Sequence, residues 1–162
     1  MASAGYGFRV ALSVLDRLLE PEASAHREVS IDRASALLAL RRCVQRDLEW
    51  LLNTRNPLAD LPAEFVEAGQ SVLTYGIADF GALNPANPGD QERIRQHLER
   101  TIQQFEPRLR SVNLGILPAP PGDRTLRLHL AAHLVVEPAP ESIGFDIVLP
   151  APGTAYEIRD AG

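Results

Sequence analysis

Two histidines four residues apart, His129 and His133, are the first pair in the chain whose types could bind a metal or move a proton. The alternation around them places both on one face of an extended segment, where four residues span about 13 Å. Two ligands of one zinc, each bound at about 2.1 Å, must lie within about 4 Å of each other. The pair therefore reads as solvent-facing or partner-facing side chains. His26 and His97 have no nucleophile close in sequence, and Cys43, the single cysteine, sits beside the apolar stripe of a helix as a small core residue. One cysteine builds neither an intrachain disulfide nor a cysteine-based zinc site, and it fits a reducing compartment. Glu20, Glu22, Glu28, Asp47 and Glu49 could supply a glycosidase with its two carboxylates. With 21 acidic residues in the chain, some pair always looks suggestive, and a solvated acidic surface accounts for them. All 16 basic residues are arginine. Without lysine there is no GxxxxGK phosphate loop, no Schiff base and no Ser/Lys pair, and no GxGxxG occurs either.

The most informative local arrangement is FEPRLR, residues 105–110, where Glu106 and Arg108 flank Pro107. Proline fixes φ near −65° and lacks an N–H, so the turn is stiff. In an unbroken extended segment Arg108 and Arg110 share the parity of Val112, Leu114 and Ile116 and point to the core or its rim. A charge there needs a partner, and Glu106 is the nearest candidate for a bidentate pair. An exposed pair at a helix end would contribute little.

The elements that hold this turn are legible from periodicity. FRVALSVLDRLLE, residues 8–20, carries Phe8, Leu12, Leu15 and Leu19 on one helical stripe, after a Gly/Ala/Ser-rich stretch, 1–7, expected to be mobile. Residues 30–55 place Ala34, Leu37, Leu40, Val44, Leu48 and Leu51 three or four apart, with Ser30 as N-cap. Arg33, Arg41, Arg46 and Glu49 fall on the opposite face, and Pro57 and Pro62 follow the helix. Residues 63–83 fit a short helical turn. Asp90 is placed to cap a helix over 91–106, with Ile94, Leu98, Thr101, Ile102 and Phe105 as its buried stripe. Pro107 forces Glu106 out of helical dihedrals. From residue 111 the period falls to two: Val112, Leu114 and Ile116 alternate, then Leu126 to Val136 at even positions, then Ile143, Phe145, Ile147 and Leu149. A last short strand spans 154–159. The expected class is α+β, one domain over 1–162, with N-terminal helices packed on one face of a mainly antiparallel sheet of three to four strands.

Composition narrows the function. The chain has 162 residues, 45% hydrophobic and 23% charged, with net charge −5, the mix of one globular domain whose core can remove roughly 70% of the unfolded surface from water. The acidic balance argues against nucleic acid as a partner, because tracking phosphates needs a basic face. Asp16 and Arg17 interrupt the N-terminal apolar run, so no secretory signal is read there, and the cytoplasm is the expected location. No stretch of about 18 uncharged apolar residues predicts membrane insertion.

SVLDRLL at 13–19, RRCVQRDLEWLLNTR at 41–55, SVLTYGIADF at 71–80 and FEPRLRSVNL at 105–114 follow one another in the order and spacing of a known family. The chain resembles TssE, the small baseplate subunit of the bacterial type VI secretion system, a relative of the wedge proteins of contractile phage tails. The resemblance covers nearly the whole chain. It implies a structural role: a wedge subunit bound to other baseplate wedge subunits, from which the contractile sheath subunits begin to polymerise. It implies no enzyme activity, no cofactor, no metal and no small-molecule substrate, and a cytoplasmic baseplate docked at the inner membrane through partners. The signature carried over is Glu106, Pro107 and Arg108, with Tyr75, Gly76, Asp79 and Phe80 from the second motif and Asn53, Thr54 and Arg55 from the third. These residues would hold the core geometry or the surface shown to neighbours. Ala78 stands where many members have a proline before the aspartate, so the stiffness of that turn is not carried over. A short last strand at the edge of an open sheet would be a template for strand addition by sheath subunits. Three alternatives keep weight. Neighbouring genes would reveal a phage-tail wedge protein, lysis in a zymogram a peptidoglycan hydrolase, and a pull-down lacking wedge and sheath subunits a regulatory adaptor.

Overall fold

A computed structural model of the chain describes residues 33–58, 61–62, 64–118, 125–149 and 155–161. The tail 1–7, the helix over 8–20 and the cap at Ser30 lie outside the described residues. The first described helix, α1, spans Arg33–Asn53 and buries Leu40, Val44, Leu48, Leu51 and Leu52. Ala34 is exposed, because the buried stripe begins only where the helix meets the sheet. Polar side chains take the carbonyls of its last turn: the Asn53 amide donates to Glu49 O at 2.8 Å and the Thr54 hydroxyl to Trp50 O at 2.7 Å. Residues 63–83 contain the expected helical turn in two pieces. One is α2, Val66–Gly69, and the other a 3-10 turn, Val72–Thr74, capped by the Ser71 hydroxyl.

Helix α3 spans Pro88–Phe105, and its cap is Asn87 rather than Asp90. Pro88 occupies the first helical position, where its fixed φ suits the helix and its missing N–H is not needed. The Asn87 side chain then accepts from Gly89 N at 2.8 Å. Asp90 sits inside the first turn and accepts from Asn84 N at 3.1 Å, tying down the loop before the helix. Ile94, Leu98, Thr101 and Ile102 are buried, and Phe105 packs against the core. Glu106 leaves the helix at φ −118°, ψ 82°, as Pro107 requires.

Four antiparallel strands follow in the order β1-β2-β3-β4. They are β1 Leu109–Leu117, β2 Leu126–Leu134, β3 Glu141–Leu149 and β4 Glu157–Asp160. The even positions of β2 and the odd ones of β3 from Ile143 on are buried, and Phe145, Leu128, Leu130 and Ile147 are fully enclosed. Truncating Phe145 to alanine would cost about 3–5 kcal/mol. The architecture is α+β, with α3 packed on β1, α1 on β4, and the helices in contact with each other.

One strand expectation needs correction. β1 begins at Leu109, and its register with β2 shifts between Arg110 and Asn113, with Ser111 at φ +51°. Such a bulge swaps the faces of the residues on either side of it. Leu109 is therefore buried and Arg110 exposed, while Val112 and Leu114 keep the inward face and Ile116 is 38% exposed. The last strand, for its part, has its outer edge partly occupied by side chains of α1. The Gln45 side chain donates to Ile158 O at 2.7 Å, and the Asn53 amide both accepts from Tyr156 N at 2.7 Å and donates to Tyr156 O at 3.1 Å. Along β1, Leu114 O accepts from Arg95, Leu114 N donates to Glu99, and Val112 O accepts from Gln103, each at 3.3 Å. Helix side chains thus occupy backbone groups on both margins of the sheet.

Candidate functional site

The Glu-Pro-Arg turn closes into an ion chain. Glu106 is 4% exposed. Its Oε1 accepts from Arg108 N at 3.1 Å and from Arg108 Nε at 2.7 Å, and its Oε2 accepts from Arg108 Nη2. Pro107 makes this return possible by turning the backbone sharply between the two partners. The same Nη2 donates to Asp47 Oδ2 at 2.6 Å, and Arg46 grips Asp47 Oδ1 through Nε at 3.1 Å and Nη2 at 2.9 Å. Arg46 in turn lies 5.0 Å from the Trp50 ring. Two carboxylates and two guanidiniums alternate from the interior to the surface, so the chain is neutral and its charges are compensated. Burial opposes the charge on Arg108, but Glu106 and then Asp47 outweigh it and raise its pKa.

The backbone also uses this turn: Arg108 O accepts from Val135 N at 2.8 Å, just past the end of β2. The Arg108 side chain is inward because it folds back onto Glu106, not because of strand parity. Asp47, from α1, is the partner that sequence reasoning placed only among loose carboxylates. Its signal in sequence is weak, a single acid in RRCVQRDLEW, 61 residues from Arg108.

The other two motifs meet one turn away. Ile77 N donates to Thr54 O and Asn56 N to Ile77 O, both at 2.8 Å, so residues 54–56 and 77 form a small parallel bridge. Gly76 has φ +110°, and a Cβ there would fall 2.4 Å from Thr54 O. Only glycine satisfies both demands. Tyr75 packs edge-on against Phe105 with centroids 5.4 Å apart. Its hydroxyl pKa is raised by burial, then by the negative charges of Asp47 and Glu106, which puts the ring beside the ion chain. Phe80 packs edge-on on His97 at 5.2 Å. Arg55 and Asp79 form an exposed pair at 3.4 Å. Asn53 holds Tyr156, as described above.

His97 was not singled out from sequence, yet it anchors this loop. Its Nε2 accepts from Ala78 N at 3.2 Å, a role that requires a neutral ring. Burial, then the nearby Arg100 charge, lowers its pKa and keeps it neutral. A proline at 78 would have no N–H to give, so here a hydrogen bond to His97 holds the turn in place of a rigid ring.

The three motifs therefore converge at the C-terminal ends of α1 and α3, and they spend their polar groups on one another. The oxygens of Asp47 and Glu106 are engaged by guanidiniums, an arrangement suited to holding geometry rather than to delivering a proton. His129 and His133 lie apart on the outer sheet face, where His129 Nδ1 is 2.8 Å from Asp146 Oδ1 and His133 Nδ1 is 3.3 Å from the Ser142 hydroxyl. Among the described residues no three His, Cys, Asp or Glu side chains are grouped to hold a metal, and no helix is long and apolar enough to cross a membrane.

Two long helices over a four-strand meander, with the polar motifs used to lock their junction, define a small α+β structural domain. Residues 38–139 match the family described as baseplate wedge protein gp25, and the chain belongs to that family. A solved structure titled "The baseplate complex from the type VI secretion system" contains a chain similar to this one at 16% identity and TM-score 0.47, over 73% of this chain and 97% of that one. No curated protein matches the sequence.

Proposed function

We propose that this protein is a structural subunit of a type VI secretion baseplate wedge, which binds other baseplate subunits and is a starting platform for contractile sheath polymerisation. Membership of the baseplate wedge family over 38–139 carries the reading. The order of four motifs resembling TssE directs it to the secretion system. The use of Glu106, Pro107 and Arg108 as an internal clamp agrees with a scaffold role, because rigid geometry is what an assembly subunit must supply to its neighbours. The partners are other wedge subunits and sheath subunits, with no nucleic acid, small-molecule substrate or cofactor, and no catalytic residue. The place of work is the cytoplasmic side of an inner membrane, reached through partners. Sheath contact by strand addition at β4 would have to displace Gln45 from Ile158 and Asn53 from Tyr156 just before the strand.

The test is to delete the gene and follow fluorescent sheath in cells, while co-purifying the tagged protein with the baseplate subunits encoded beside it. Loss of sheath assembly and recovery of a wedge complex are expected. Normal sheaths in the deletion strain overturn the reading, and recovery of phage-tail proteins alone would transfer the same structural role to a phage-type particle.

A further inference from the structure

Among the described residues, one side of α3 borders two open clefts. Arg93, Gln96, His97, Arg100, Thr101 and Gln104 follow one another at helical spacing along two adjoining clefts of about 510 and 400 Å³. His97 and Arg100 line both, so the clefts form one groove divided by those two side chains. One wall carries Leu58, Phe65 and Val66, which are 38, 51 and 57% exposed, and the other carries Phe80 and Leu83. Val72 and Leu73, 81 and 58% exposed, continue the apolar surface along the chain. Five of the nine large apolar side chains left exposed among the described residues thus fall between 58 and 73, a concentration that marks an interaction surface.

Charge identifies the kind of partner. Among the described residues Arg100 has no ion-pair partner: its Nε donates to Gln96 O at 3.1 Å, leaving the terminal nitrogens for another acceptor. Arg93 is 72% exposed, and its partner among the described residues is Asp90, at 3.7 Å. The acid within the groove, Asp79, is already paired with Arg55. In a chain with more acids than bases, an arginine without a carboxylate at the division of an apolar groove is matched by an acid from outside.

We propose that this groove receives an amphipathic segment of a neighbouring baseplate subunit, which sets a carboxylate on Arg100 and apolar side chains against Phe65 and Leu58 on one side and Phe80 on the other. The inference rests on the baseplate reading and adds the surface through which it operates.

The experiment measures binding of the full-length protein to the purified baseplate subunits encoded beside it, for wild type, R100E, F65S and R42E. Arg42 is exposed on α1 and lines neither cleft, so its reversal controls for net charge. R100E and F65S should each weaken binding about tenfold or more, R42E by less than about twofold. Raising the salt concentration should weaken wild type far more than R100E. A thermal melt confirms folding, and R100E carries the test if F65S fails to fold. Wild-type binding with R100E unaffected overturns the groove and leaves the baseplate reading standing. Absence of wild-type binding to every such subunit overturns both.

Discussion

At the scale of single residues, Arg108 is the side chain that this fold can least replace. Its fork serves Glu106 through two nitrogens and Asp47 through one of them, and its own side chain is only 13% exposed. Arg108→Ala leaves the buried Glu106 without its cation and Asp47 held by Arg46 alone, and urea denaturation should show a loss of about 3–5 kcal/mol. Arg108→Lys keeps the charge but not the planar geometry, so it should recover less than half of that loss. Wild-type stability in the lysine variant would show that charge alone suffices. Gly76 makes a separate demand. With φ at +110° and Thr54 O where a Cβ would sit, Gly76→Ala should cost about 2–3 kcal/mol or more in the same measurement.

At the scale of elements, hydrogen bonds from helix side chains to strand backbone hold the layers in register. The Asn53 amide offers Tyr156 the donor and acceptor that a neighbouring strand would have offered. Asn53→Ala should cost about 1 kcal/mol, and deuterium exchange should rise at Tyr156 and along β4 while β2 stays protected. The loop before α3 depends on a neutral His97. Its folded pKa lies below 6.5, so the unfolded chain binds the extra proton first as pH falls. The stability contributed by this group is complete above pH 6.5 and is lost as pH falls through the folded value. His97→Gln, which keeps an acceptor near Ala78 N but does not titrate, should show a smaller drop in urea midpoint between pH 7.5 and 5 than wild type. Equal drops would remove His97 as the cause.

At the scale of the whole molecule, two helices and a bulged meander meet at a locked junction, with helix side chains on part of each sheet margin and the α3 groove open. Arg108→Ala, which loosens the junction, should therefore reduce recovery of the protein with co-encoded baseplate subunits in step with its loss of stability. R100E should reduce recovery with the melting temperature unchanged. The helices over α1 and α3, the strand alternation from Leu126 to Leu149 and the turn at Pro107 were legible in sequence, because periodicity and proline chemistry are local. Local signals did not show Asn87 as the cap of α3, since Pro88 shifts the start of the helix by a few residues. The bulge at Ser111 was equally silent, and it reversed the face of Arg110. Asp47 and His97 looked like ordinary surface residues until the fold brought them to Arg108 and Ala78. The sequence by itself determined the class of fold, the excluded reaction classes and the pairing of Glu106 with Arg108, all of which depend on residue type and near-neighbour spacing. The tertiary structure alone decided the second partner of Arg108, the helix side chains that reach the sheet margins and the groove beside Arg100. Those depend on distances between side chains tens of residues apart, which only the packing of α1 and α3 on the sheet sets.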